Sequence, residues 1–391
     1  MLRSDDRILT THTGSLPRPE PLTDLYIKRA HGEPVDAARI EELAHDAVRQ
    51  SVAKQSKAGI DVGNNGEQPR DSFFLYLRER MSGFGSGHWD RPTRADVEKY
   101  PEFKKRWATT TVAPGKSVSA ANANPTAIGE VLYKDPEAIR AETRDLKKAL
   151  DQNPGAFREA FMSSPSPGIV ASAIRNDYYD SLEDYLAALS RALKVEYEAI
   201  VEAGLILQID APDLALERHM TYKDEPVGKF VEFVEMVISA INDALENVPR
   251  DRVRLHVCWG NSESPHDCDV PLSDILPTIL QAKVGGFVLP FANPRHAHEF
   301  KNFAKHRLGD DQILVAGVID TLTNFVEHPE VVADRLERVA AVIGDPTRVL
   351  AGTDCGFDTS AGRGRVSSDV VWAKLRAMRE GAELASERLF R

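Results

Sequence analysis

Three cysteines in 391 residues are too few and too odd in number for a disulfide framework, which makes metal binding, catalysis or quiet burial the roles left to them. No apolar run reaches membrane-spanning length, so a membrane partner is not expected. The first residues, Met1-Leu-Arg-Ser-Asp-Asp-Arg7, lack the apolar centre and small-residue cleavage site of a secretory signal. A cytoplasmic location is therefore expected. There is no block of basic residues, and the formal net charge is -11. Nucleic acid and anionic membrane both require a concentrated positive face, so small molecules are the expected partners. No glycine fingerprint sits between a strand and a helix, which excludes the usual nicotinamide or flavin cradle. Nor is there an internal repeat, a low-complexity tract or an evident linker.

Hydrophobic residues make up 42% and charged residues 28%, a balance that suits a folded domain with a sizeable core. From about residue 160, short apolar runs alternate with helix-period segments, the pattern of a parallel sheet sheathed by helices. Ser181 with Asp184 forms a capping-box start, followed by Leu182, Tyr185, Leu186, Leu189 and Leu193 at helical spacing. A second helix is predicted from about Pro226 to Leu245. Strands are predicted at 205–210, 253–258, 286–292, 312–320 and 348–354, with 8–13, 59–62 and 160–163 supplying the first half. Several of these runs end beside polar residues, as in an eight-stranded barrel whose chemistry collects at the C-terminal ends of its strands. The fold expected is an α/β TIM (β/α)8 barrel forming a single domain over 1–391. Between about 82 and 153 the periodicity weakens, and an irregular insertion is expected there.

The strongest chemical signal is the run Val253-Arg-Leu-His-Val-Cys-Trp-Gly260. Side chains two apart on a strand point the same way, so His256 and Cys258 share a face. Cys355, in Gly352-Thr-Asp-Cys-Gly356, follows another apolar run and can join them. One imidazole and two thiolates with a fourth position open make a catalytic zinc site. A soft metal there holds a substrate thiol as its nucleophilic thiolate at neutral pH, so the chemistry suggested is alkyl transfer to sulfur. The alternative for these residues is a histidine in a core polar network beside two inert thiols. Cys268 lies in a following loop that could fold back and donate a ligand; His266 in the same loop is read first as a hydrogen-bonder that orders it, with ligation as the alternative. Trp259 faces away from the site by strand alternation.

At these residues the chain resembles the catalytic-barrel half of cobalamin-independent methionine synthase, and more closely its short single-barrel relatives, including epoxyalkane:coenzyme M transferase. The markers are Thr11-His-Thr-Gly-Ser-Leu-Pro-Arg18, Asn65-Gly-Glu-Gln-Pro-Arg70, Gln208-Ile-Asp-Ala-Pro-Asp213, His256-Val-Cys-Trp259, Asn293-Pro-Arg-His296 and Thr353-Asp-Cys-Gly356. The resemblance implies a TIM barrel with His256, Cys258 and Cys355 as zinc ligands. It implies that Glu67 and Asp210 hold a substrate amino group, and that Ser15 lies in a turn approaching the substrate carboxylate. For Glu67 a helix cap, and for Asp210 an ordering role at the barrel mouth, are the alternatives. Arg18 is read either as a partner for an anionic substrate group or as a tie between the chain start and the barrel. Arg295 and His296, just past a strand end, are read as a salt bridge fixing the loop, with a contact at the barrel mouth as the alternative.

Two positions depart from the family pattern. A zinc-ligating glutamate is replaced by Pro290, which leaves the fourth ligand to Cys268, His266, water or the substrate thiol. A histidine after the seventh strand is replaced by Leu322, which removes an acid that a methylated folate donor would need. The expectation is a zinc-dependent methyl- or alkyltransferase joining a small thiol to an alkyl donor, whether methylated folate, methylcorrinoid or epoxide. A corrinoid protein and a second copy of the chain are the partners left open. A metal hydrolase or lyase activating water, with Asp210 as its base, and a non-catalytic relative are the competing functions.

Overall fold

The computed structural model describes residues 1–87, 89–110, 117–120 and 125–391. Among these the strands, in chain order, are β1 Val62–Gly63, β2 Phe84–Ser86, β3 Pro125–Ala127, β4 Glu159–Pro165, β5 Arg175–Asn176, β6 Ile206–Asp210, β7 Val253–His256, β8 Gly286–Pro290, β9 Ile313–Ile319 and β10 Val349–Thr353. Seven of them form one sheet in the order β1-β4-β6-β7-β8-β9-β10. Every neighbouring pair in it is parallel. Strands covered on both faces read as continuous apolar runs, and all five residues of β6 and of β8 are buried.

The extended stretch at Thr10 and Thr11 closes the sheet on itself. Thr10 bridges to Ala351 of β10 and Thr11 bridges to Val62 of β1, both in parallel sense. Thr11 N–H donates to the Ala351 carbonyl at 2.8 Å, and Val62 N–H donates to the Thr10 carbonyl at 3.0 Å. With this eighth stave the architecture is the α/β TIM-like barrel expected. The expected strand over 8–13 is reduced to these bridges. The expected strand at 59–62 begins at Val62, because Gly59, at φ 80°, turns the chain out of the preceding helix.

Helices Ala37–Lys57, Pro136–Asp151, Leu182–Glu202, Val227–Ala244, Leu272–Ile279, Pro329–Ile343 and Ser368–Leu389 sheath the barrel. Ser181 caps its helix as the sequence indicates, its hydroxyl accepting from Asp184 N–H at 3.0 Å. In the next helix Phe230, Val234, Val237, Ile238 and Ile241 face the sheet and are buried. The region from about 82 to 153 is more ordered than expected at its end. Pro136–Asp151 is a regular helix whose capping side chain is Asp135 and whose buried face carries Ile139, Thr143 and Leu146. Earlier in this region β2 pairs antiparallel with β3, which pairs parallel with β5 as a small separate sheet. Residues 111–116 of this stretch lie outside those described. Among the described residues no helix is long and apolar enough to cross a membrane.

Candidate metal centre and substrate cavity

The parallel register sets Asp210 beside His256, because the last residues of β6 and β7 are partners. Cys258 follows two residues on, and Cys355 arrives from the end of β10. One ligand atom from each of His256, Cys258 and Cys355 lies within 4.8 Å of the other two, and all three residues are buried.

His256 is held in one orientation. Its Nδ1 donates to Asp210 Oδ1 at 3.0 Å, which turns Nε2 toward the thiols. Nε2 is buried and has no protein partner. Such a carboxylate behind a histidine is the usual support for a metal-binding imidazole. The support is itself braced: Gln208 Nε2 donates to Asp210 Oδ1 at 2.8 Å, and Arg254 Nε donates to Gln208 Oε1 at 2.9 Å.

The two sulfurs share a proton unequally. A hydrogen bond from Cys355 and the charge of His256 outweigh burial and hold Cys258 well below the ordinary thiol range. Cys355 is pushed well above it by that same bond and by burial. Burial works against the His256 cation, but the Cys258 thiolate and Asp210 outweigh it and push His256 up to about 10. A cluster whose protons are held only by one another is one that a divalent cation can displace. An orphaned imidazole nitrogen and two convergent sulfurs fit a zinc ion.

Asp354, next to Cys355, accepts from the backbone N–H groups of Phe291, Ala292 and Asn293 at 2.7 to 3.0 Å. This clamps the cysteine loop to the end of β8. Gly317 makes room for it, since a Cβ there would sit 2.4 Å from Asp354 Oδ1. Pro290 and Leu322 line a small cavity of about 20 Å3 against Cys258 and Cys355. Neither offers a ligand or a proton. Cys268 is half-buried beside Asp267 and outside the cluster. His266 instead joins Asp269 at 2.7 Å and the Ser262 carbonyl at 2.8 Å. Asp269 also meets His219 at 2.5 Å and His296 at 2.8 Å. His296 stacks on buried Trp259 at 3.7 Å, and Trp259 Nε1 donates to the Val270 carbonyl. Arg295 donates through Nε to the His266 carbonyl at 3.2 Å.

A cavity of about 740 Å3 opens over the cluster, lined among others by Ser15, Glu67, Asp210, His256, Cys258 and Cys355. Glu67 is a strained residue, with φ 56° in a tight turn rather than at a helix start. Its Oε1 accepts from the Ser163 hydroxyl at 2.6 Å, while Oε2 is buried without a partner. Burial first, and the charge of Asp210 second, push its carboxyl up to about 7. Gly14 leaves the space this carboxylate needs, because a Cβ would meet Oε1 at 2.5 Å. Ser15 packs against Gly356 in the same way and accepts through Oγ from Asp358 N–H at 3.3 Å.

Arg18 lies elsewhere. Its side chain is fully buried, pairs with Asp358 at 3.0 Å, and donates to the carbonyls of Glu67, Arg70 and Asp358. It does not line the cavity, and its donors are spent on binding the chain start to the turn that carries Glu67. Arg70, buried beneath that turn, pairs with Glu142 at 2.9 Å and donates to the Ser163 carbonyl at 2.7 Å. Asp354, Gly317 and Arg70 received no role from sequence reasoning, although Asp354 and Arg70 stand inside quoted motifs.

A closed parallel barrel thus brings an imidazole and two thiols together at its mouth as a candidate metal site. The model of the family described as cobalamin-independent synthase, catalytic domain, matches residues 8–384, and the chain belongs to that family. It is 26% identical over 385 residues to a methionine synthase of Saccharolobus solfataricus, covering 98% of this chain and 96% of that one. A methionine synthase of Sulfolobus acidocaldarius is 26% identical over 350 residues, with 89% and 85% covered. Among solved structures, a B12-independent methionine synthase from Shewanella sp. W3-18-1 in complex with selenomethionine superposes with a TM-score of 0.71 at 21% identity, over 98% of this chain and 99% of that one. A putative vitamin-B12 independent methionine synthase from Listeria monocytogenes gives 0.64 at 19% identity, over 96% and 98%.

Proposed function

We propose that this chain is a single catalytic unit that transfers a methyl or other alkyl group to the sulfur of a small amino thiol, with zinc as its resident metal. The observation that carries the reading is the buried, unpartnered His256 Nε2 facing the sulfurs of Cys258 and Cys355 on the wall of a substrate-sized cavity. Family membership and the methionine synthase relatives support the choice of a thiol acceptor.

When bound, zinc supplies a Lewis acid that keeps a substrate sulfur deprotonated and nucleophilic at neutral pH. His256, Cys258 and Cys355 are the residues that would hold it. Asp210 fixes the His256 tautomer through Nδ1 and so keeps Nε2 aimed at the centre. Glu67 and Asp210 face one cavity as two carboxylates, one with a free oxygen. Their mutual repulsion is relieved when an ammonium group arrives between them, which suits an amino thiol. Ser15 supplies the turn beside the sulfur site. Arg18 acts as a positioning residue that holds the Glu67 carbonyl. Because Pro290 cannot ligate and Leu322 cannot donate a proton, the reading favours a donor whose leaving group departs unprotonated, such as a methylcorrinoid.

Zinc-edge X-ray absorption of the purified protein, before and after adding homocysteine, tests this directly. A new sulfur neighbour on addition is the expected result. A metal shell unchanged by homocysteine, by 2-mercaptoethanol and by 3-mercaptopropionate would sink the proposal.

A further inference from the structure

The substrate cavity carries charges that the thiol chemistry leaves unused. Arg78, Arg91, Arg94 and Arg363 all line it. Arg91 is answered by buried Glu217 at 2.9 Å. Arg94 and Arg363 have no ion pair among the described residues. Arg94 donates through Nη1 to the hydroxyls of Ser262 and Ser264, the latter at 3.4 Å, and Arg363 donates to Ser119 Oγ at 3.3 Å. Hydroxyls orient a guanidinium without neutralising it. Asp90, exposed on the same cavity, pairs with neither.

The two cations also disfavour each other. Burial first, then the charges of Arg94, Arg365 and Arg91, bring Arg363 down to about 10. Burial lowers Arg94 as well, against the more distant charges of Asp96, Asp269 and, last, Cys258, none of which forms an ion pair with it. The backbone makes deliberate room for Arg94. Gly260, two residues beyond Cys258, has φ 91°, and a Cβ there would lie 2.5 Å from Arg94 Nη2. Two half-buried guanidiniums on this wall, answered by hydroxyls and, among the described residues, by no carboxylate within ion-pair distance, keep donors that an anion in the cavity would complete.

We infer that Arg94 and Arg363 form an oxyanion subsite that takes the acidic group (carboxylate, sulfonate or phosphate) of the small molecule occupying this cavity. The forked guanidinium matches such groups through paired hydrogen bonds. The inference rests on the proposed function in placing that molecule beside the metal centre. The acid belongs either to the thiol or to the alkyl donor, and binding measurements separate the two.

The experiment is calorimetry at low salt on the zinc-loaded protein, using 3-mercaptopropionate, 2-mercaptoethanol and glutarate as probes. Wild type is compared with Arg94→Gln, Arg363→Gln and the double variant. The double variant is expected to bind the acidic probes about 10- to 100-fold more weakly. Its affinity for 2-mercaptoethanol should stay within about twofold of wild type. Tight 3-mercaptopropionate with weak glutarate places the acid on the thiol. Glutarate that binds alongside 2-mercaptoethanol without competition places it on the donor. Acidic probes held equally by wild type and a folded double variant would overturn the subsite. If the double variant does not fold, Arg363→Lys, which keeps the charge and loses the fork, is read by the same comparison. Arginine-dependent glutarate binding in a protein with no thiol affinity would keep the subsite and reject the thiol reading.

Discussion

Replacing Glu67 with glutamine removes a carboxyl that folding holds away from its ordinary titration. In the folded chain it titrates near 7, against 4.5 for a free glutamate, because it is buried and faces Asp210. The folded state therefore holds a proton that the unfolded chain releases earlier. A raised pKa of this kind contributes stability fully below 4.5 and loses it as pH rises through 7. The full shift corresponds to about 3 kcal/mol, and about 2 to 3 kcal/mol of it falls between pH 5 and pH 8.5. Glu67→Gln keeps the shape and an acceptor for the Ser163 hydroxyl but cannot ionise. Urea unfolding at constant zinc content should show the variant gaining on wild type by about 2 to 3 kcal/mol as pH rises across that window. Parallel pH profiles for the two proteins would refute the burial and Asp210 argument together.

Cys258→Ser removes one of the two soft ligands, and bound zinc after dialysis should fall from one equivalent to below about a tenth, measured by elemental analysis. Asp210→Asn weakens the brace behind His256, and zinc affinity from chelator competition should drop about 10- to 100-fold; unchanged affinity would mean that the His256 tautomer is fixed elsewhere. Gly260→Ala forces an L side chain into φ 91°, with an expected loss of roughly 1 to 2 kcal/mol in thermal or urea unfolding. Trimming Arg94 to alanine in that background should recover only the part due to the guanidinium clash.

Much of the barrel was legible because buried parallel strands announce themselves as short apolar runs. The runs ending at Asp210, Pro290 and Thr353 lie within a residue or two of the observed ends. His256, Cys258 and Cys355 were legible as a group because two-residue strand spacing and chemical type both single them out. The helix Pro136–Asp151 lies inside the stretch expected to be irregular, although Asp135, Pro136 and the spacing of Ile139, Thr143 and Leu146 mark it. Its buried face includes Glu142, held by Arg70 and Arg80, which blurs the apolar stripe. Arg94 and Arg363 could not be read at all. Their meaning depends on which residues distant in the chain fail to neutralise them, and no local pattern encodes a missing partner. Arg18 shows the same limit from the other side, since only the fold reveals that Asp358 and three carbonyls occupy it.

The stave at Thr10 and Thr11 has a consequence for biosynthesis. Thr13, at the end of that stave, hydrogen-bonds Thr353 across 340 positions of sequence. On a ribosome, the early segment must wait unpaired until nearly everything between has emerged. Cys258 is translated long before Cys355 reaches it. The nascent chain thus passes through a period in which Cys258 has emerged without Cys355 and the pocket around it is unformed, open to oxidation that the closed barrel, where both are buried, shields against.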